Sequence, residues 1–280
     1  MDVNFKPYSL NINKNLYTIH EPKVMGILNV TSDSFYDGGR FNNEDNALRQ
    51  VEKMLNDGAD FIDIGGQSTK PGADDVLEAI ELNSTSDIIG AIIKRFPAAL
   101  ISIDTSRYSV AKSAVESGAV IVNDISAGER DAQMLPYLAK VQLPFIAMHK
   151  QGTPKTMQIN PQYDNVCKDI LKYFNAKKNV LNELGIKDII LDVGFGFGKT
   201  IEHNYDLLTH LNIFHSLNCP LLVGVSRKGM IWKVLGTNAE NALPGTTAAN
   251  TIALLQGAHI LRVHDVKEAK DAIKIVGMLK

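Results

Sequence analysis

Six polar residues, Asp104, Asn123, Asp192, Lys228, Arg262 and His264, share one setting: each closes or closely follows a short apolar run. A carboxylate accepts two parallel hydrogen bonds from a guanidine-like edge, and a lysine donates to a ring oxygen or nitrogen. With an amide beside them, these types suit a flat heterocycle carrying several N–H donors and a carbonyl. Arg262 and His264 stand inside an otherwise apolar stretch, HILRVHD, where a charge without a partner is costly. That pair suits an anion, with a phosphate group as the first candidate. Asp104 and Asp192 also invite comparison with the paired carboxylates of glycosidases, but the amide and lysine beside them argue for recognition instead. Asp104 has a structural alternative, capping of the helix that follows Asp104-Thr105-Ser106.

The segment 194–199, GFGFGK, looks like a phosphate-cradling loop, but its spacing is neither that of a Walker motif nor GxGxxG. Phe195 and Phe197 offer either an aromatic wall for a ring or ordinary packing at a rim. The chain contains no HExxH, His/Cys cluster or GxSxG elbow, which disfavours zinc-dependent and covalent catalysis.

Eight apolar runs carry these residues: 24–31, 61–69, 100–106, 120–126, 144–152, 189–200, 221–228 and 259–265. An unbroken Val/Ile/Leu run reads as a strand buried on both faces, and a helix-length segment between runs demands a parallel crossover. Eight such units predict a single α/β domain, a (β/α)8 TIM barrel over 23–280, whose site lies at the strand C-termini. Strand alternation puts Arg262 and His264 on one face, and likewise Ser102 with Asp104, Ile121 with Asn123, and Ile190 with Asp192. Lys228, Arg262 and His264 lie at the ends of the seventh and eighth runs, by the loops where many barrels hold phosphate. Residues 1–22 form an extension, with a hairpin at Asn13-Lys14-Asn15 covering the barrel bottom. Gly58, Gly118 and Gly185 are expected to terminate helices in the left-handed conformation. The Gly/Ser/Asp-rich segments Thr31–Asn43 and Gly65–Ala73 read as lids over the site.

With 280 residues, 45% hydrophobic and 21% charged, the chain is sized for one barrel. A net charge of −2 gives no general attraction to nucleic acid or to an anionic membrane. No stretch approaches a membrane span and the first twenty residues hold no apolar leader core, so a cytoplasmic protein is expected. Cys167 and Cys219 read as separate, reduced, buried thiols.

The motifs GILNVTSDSFYDGG, GGQSTKPGA, SIDTS, VNDIS, MHKQGTPKTMQ, DVGFGFGKT, VSRK and GAHILRVHDV occur in order from about Lys23 to Lys280. Their series resembles the dihydropteroate synthases, a folate-pathway family inhibited by sulfonamides. The resemblance implies joining of 6-hydroxymethyl-7,8-dihydropterin diphosphate to 4-aminobenzoate, with Mg²⁺ and usually as a homodimer. It implies pterin contacts from Asp104, Asn123, Asp192 and Lys228, with Met148 lining that pocket. Asn29, Lys70, Arg262 and His264 would hold diphosphate, Asn29 being the protein's Mg²⁺ ligand. Thr69, Pro71, Phe195, Lys228 and Gly229 would form the aminobenzoate pocket, and Asp104, Asp192, Lys228, Arg262 and His264 would serve the chemistry.

The chain departs from the family pattern at Gln67 and Lys70, where Glu and Arg are usual, and at Ser32 and Val193, where Pro is usual. Lys70 loses the bidentate fork of Arg, and Ser32 and Val193 are expected to loosen two loops. Two rival readings share part of the residue set. A methyltetrahydrofolate–corrinoid methyltransferase would share Asp104, Asn123 and Asp192 but has no use for Arg262, His264 and the STKPGA loop. A catalytically silent pterin-binding module draws its support from Gln67 and Lys70.

Overall fold

The structure, a computed structural model, describes residues 5–30, 39–67, 76–153, 157 and 159–279. Asn13 and Lys14 both take positive φ, the geometry of a two-residue turn that matches strand twist, and join β1 (Tyr8–Ile12) to antiparallel β2 (Asn15–Ile19). Eight parallel strands then close on themselves. They are β3 (Lys23–Asn29), β4 (Phe61–Gly65), β5 (Ile101–Asp104), β6 (Ile121–Asp124), β7 (Phe145–Met148), β8 (Ile189–Asp192), β9 (Leu221–Val223) and β10 (Ile260–Val263), with β10 pairing both β9 and β3.

The helices between them are α1 (Gly39–Asn56), α2 (Glu78–Arg95), α3 (Tyr108–Glu116), α4 (Met134–Val141), α5 (Val166–Glu183) and α6 (Ile201–Thr209). A 3-10 turn, Leu211–Leu217, precedes β9; α7 (Gly229–Trp232) and α8 (Leu243–Leu255) precede β10, and α9 (Val266–Gly277) follows it. Helix ends follow local chemistry. Asn165 Oδ1 accepts from Lys168 N at 2.9 Å, and Thr200 and His203 form a reciprocal capping box at the start of α6. Gly58, Gly118 and Gly185 all have positive φ, as expected of helix-terminating glycines. α1 begins at Gly39, so the segment read as a lid over 31–43 is shorter by its last five residues. The polar composition of Gly39–Asn43 is compatible with a first helical turn as well as with a loop, and composition cannot separate the two.

Strand alternation divides the core in two. Residues such as Val24, Ile62, Ile103, Val122, Ala147 and Leu191 face outward and pack under the helices. Their neighbours Met25, Phe61, Ile121, Ile146, Ile190, Leu222 and Ile260 face inward and plug the lower barrel, where Leu10, Ile12 and Ile19 of the hairpin cover them. His259 ties that extension down: its Nδ1 accepts from Leu221 N at 3.1 Å and its Nε2 donates to the Lys6 carbonyl at 3.1 Å. Burial holds this ring neutral, with its pKa lowered to about 4. The apolar plug closes one end, so polar side chains one layer higher on the same strands open only at the other end. Cys167 and Cys219 are buried free thiols, and no described helix is long and apolar enough to cross a membrane.

Candidate active site

Above the plug, the inward positions turn polar. Asp104 ends β5, Asn123 is the third residue of β6, Met148 ends β7, Asp192 ends β8 and Arg262 is the third residue of β10. Asn29 ends β3 and is exposed at the mouth. The parity read from the sequence for Ile121 with Asn123 and for Ile190 with Asp192 therefore holds. Asp104 makes no helix cap: α3 begins four residues later, at Tyr108 after Arg107, and Asp104 instead accepts from Arg262 Nη2 at 2.7 Å.

Arg262 has a second carboxylate partner that the sequence reading passed over. Its Nε donates to Asp63 Oδ2 at 2.6 Å, and the same oxygen accepts from Asn123 Nδ2 at 3.0 Å. Asp63 is 0% exposed. The signal was present in FIDIGG, an acid inside an apolar run, which is the same test that singled out Arg262. Burial opposes the charge on Arg262, but Asp63 and Asp104 outweigh it and raise its pKa. Burial pushes Asp104 up to about 7; Arg262 pulls it down, while Asp63, Asp124 and Glu81 push it further up. The cluster thus holds two carboxylates around one permanent cation.

On the opposite wall, Asp192 Oδ1 accepts from Gly194 N at 2.8 Å. Burial raises its pKa against the pull of Lys228. Lys228, just before α7, donates to the Phe195 carbonyl and stands 4.7 Å from the centre of the Phe197 ring. Burial lowers its pKa to about 8, and Asp192 opposes that fall. The expectation for Phe195 is corrected here. Its side chain is wholly buried in the helix-facing core, and only its carbonyl serves the site. Phe197, half-buried against Lys228, presents the aromatic surface. Left-handed Gly194, Gly196 and Gly198 interrupt strand alternation, so i, i+2 parity cannot assign the two rings.

A buried lysine holds this loop. Lys199 Nζ donates to the carbonyls of Gly194 at 2.9 Å and Phe197 at 3.0 Å, and lies 3.1 Å from His149 Nδ1 in the loop after β7. Burial lowers the His149 pKa to about 3, so its neutral Nδ1 accepts from Lys199 Nζ, whose own pKa burial lowers to about 7. Val193 is buried in the core, so the loss of Pro there does not leave this loop unanchored. The close approach also demands glycine: a Cβ on Gly194, at φ +70°, would sit 1.9 Å from the His149 carbonyl oxygen. Gly194→Ala is accordingly expected to cost roughly 2 kcal/mol or more of unfolding free energy in urea titration. A loss below half a kcal/mol would refute the packing described.

His264 is exposed, and its Nδ1 shares a 2.9 Å hydrogen bond with Ser226 Oγ. Arg227 grips Asp265 through Nε and Nη2 at 2.9 and 2.8 Å, which joins the loops after β9 and β10. Gly229 is half-buried and opens the single turn of α7. Ser32, Thr69, Lys70 and Pro71 lie outside the described residues.

The site can bind a planar, donor-rich ring between Asp104, Asn123, Asp192 and Lys228, and an anion beside Arg262 and His264. Residues 25–264 match the family described as pterin binding enzyme. The chain is 44% identical over 268 residues to a dihydropteroate synthase of Haemophilus influenzae, covering 95% of this chain and 97% of that one. A Yersinia pestis dihydropteroate synthase crystallised with a sulfonamide drug superposes with a TM-score of 0.91 at 43% identity, covering 97% of this chain and 99% of that one. A Xanthomonas albilineans dihydropteroate synthase with 4-aminobenzoic acid gives 0.90 at 34% identity, covering 98% of each chain. Family match, full-length likeness and polar barrel mouth agree: this chain belongs to the dihydropteroate synthases, within the pterin-binding enzymes.

Proposed function

We infer that the protein joins 6-hydroxymethyl-7,8-dihydropterin diphosphate to 4-aminobenzoate, releasing 7,8-dihydropteroate and diphosphate. The observation that carries this reading is the pairing of two devices in one mouth: a carboxylate, carboxamide and lysine wall for the ring, and Arg262 beside it for the leaving group. Diphosphate release that requires both substrates tests it. Release without the amine would indicate a hydrolase, and no release would leave a pterin-binding module.

The reaction is a substitution at the methylene attached to the pterin. The C–O bond to diphosphate breaks, the amine nitrogen forms the new C–N bond, and its proton passes to solvent. An arylamine is a weak nucleophile that needs no strong base, so the barrier lies in separating charge. We assign Arg262 and His264 to the negative charge that grows on diphosphate, and Asp104 and Asp192 to the cationic character that grows at the pterin methyl. The bond breaks ahead of amine attack. Phe197, the Lys228–Gly229 segment, Thr69 and Pro71 are assigned to the aminobenzoate, and Lys70 to the diphosphate.

Asn29 offers a hard amide oxygen at the exposed mouth, on the strand next to Arg262, which fits Mg²⁺ held by few protein oxygens and by substrate phosphate. Such an ion would offset charge on the diphosphate oxygens. Removal of Mg²⁺ with a chelator is expected to stop turnover while leaving binding of the free pterin alcohol intact; turnover unchanged by chelation would exclude the ion. We further propose a cytoplasmic homodimer. The unpaired thiols suit a reducing compartment, and exposed Ile252 and Ile275 on mutually packed α8 and α9 suit a subunit contact.

Ring binding requires Asp104 as the carboxylate and Lys228 as the ammonium. Asp104 ionises as pH rises through about 7, and Lys228 loses its proton as pH rises through about 8. The kcat/KM for pterin diphosphate should therefore rise through the first and fall through the second, with a narrow optimum between them. A profile that stays flat from well below to well above this window would contradict these assignments.

A further inference from the structure

Asp63 is closed off from the mouth, yet it contacts two of the groups that line it. It sits on β4 in the layer between the apolar plug and the site, fully buried. One of its oxygens, Oδ2, accepts both from Arg262 Nε on β10 and from Asn123 Nδ2 on β6. Its other oxygen, Oδ1, has no partner among the described residues, and neither has the hydroxyl of Ser102, its register partner on β5. Asp63 therefore commits itself to these two donors alone.

A carboxylate can only accept. By taking Nδ2 of Asn123, Asp63 determines which way that amide faces, and the amide oxygen is the atom left for a ligand. By taking Nε of Arg262, it fixes the plane of the guanidinium, whose Nη2 reaches Asp104. Four strands, β4, β5, β6 and the more distant β10, are thereby held in one hydrogen-bonded unit.

We propose that Asp63 is a positioning residue that sets the hydrogen-bonding polarity of the pterin pocket: it turns Asn123 to present an acceptor to a ring N–H and holds Arg262 against Asp104. The inference rests on the pterin reading of the site.

Asp63→Asn is nearly isosteric but can present either an oxygen or an NH₂, so the direction of Asn123 is no longer imposed. We expect the KM for pterin diphosphate to rise at least tenfold, with the KM for 4-aminobenzoate changed less than twofold. Calorimetric binding of 6-hydroxymethylpterin should weaken by a similar factor. In an Asn123→Ala background, the same substitution should weaken pterin binding by a clearly smaller factor than in the wild type, because one of the two groups through which Asp63 acts is gone and only its hold on Arg262 remains. Effects that multiply independently, or both KM values rising together with a fall in melting temperature, would make Asp63 a framework residue and overturn the proposal. So would a pterin KM within twofold of wild type. If Asp63→Asn does not accumulate folded, Asp63→Ser takes its place, and failure of both to fold counts against a positioning role. Failure of the wild type to form dihydropteroate would refute the activity, while the pterin calorimetry would still read Asp63.

Discussion

Asp192→Asn is expected to weaken pterin binding by about 3 kcal/mol, on the order of a hundredfold, with little change in stability. The asymmetry follows from how the side chain is used. One oxygen of Asp192 accepts from Gly194 N at 2.8 Å, and an asparagine Oδ1 can take over that bond. The loop after β8 also keeps the clamp from Lys199. What changes is the other atom, which becomes an NH₂ facing the N–H donors of the ring. A donor set against donors inside a buried site loses the hydrogen bonds and leaves polar groups unsatisfied. The variant also removes the group that supports the charge on Lys228, so the alkaline limb of the pH profile should move below its position near 8. Calorimetry with 6-hydroxymethylpterin and a pH–rate profile read these effects. Near-normal affinity would remove Asp192 from the pterin site.

Arg262→Met should cost about 3–5 kcal/mol of stability as well as activity, because it strips the cation from two buried carboxylates. The loss should depend on pH in a definite direction. In the wild type, Asp104 has its pKa raised to about 7, so its contribution is fully present below the ordinary carboxylate pKa and is lost as pH rises through about 7. Arg262 lowers that pKa; without it the Asp104 carboxyl is held protonated to still higher pH. Protonation relieves the unpaired charge, so the deficit should be smaller at mildly acid pH and larger at mildly alkaline pH. Urea titrations on either side of the window measure it. Equal deficits, or a loss below 1 kcal/mol, would show that the two carboxylates do not depend on this guanidinium.

Much of the barrel is legible in order because its signals are local. Eight apolar runs, helix-length spacers and terminal glycines each need only neighbouring residues to be read, and a period of two suffices to put Asp104, Asn123, Asp192 and Arg262 inside. The hairpin at Asn13-Lys14 is equally local. Two of the departures from local reading have one origin: a backbone or side chain whose partner is remote. Asp63 and Arg262 are 199 positions apart, and only closure of β10 onto β3 brings them together. The glycine loop 194–199 folds against His149, which decides that Phe195 points into the core and Phe197 toward Lys228.

The sequence by itself thus determined the strand set, the face that carries the chemistry and the residue types offered there. Tertiary structure decided which carboxylates share Arg262, which way Asn123 faces and which aromatic ring meets the site. Periodicity specifies direction relative to a strand, whereas a hydrogen-bond partner across a closed barrel depends on the registers of several strands at once.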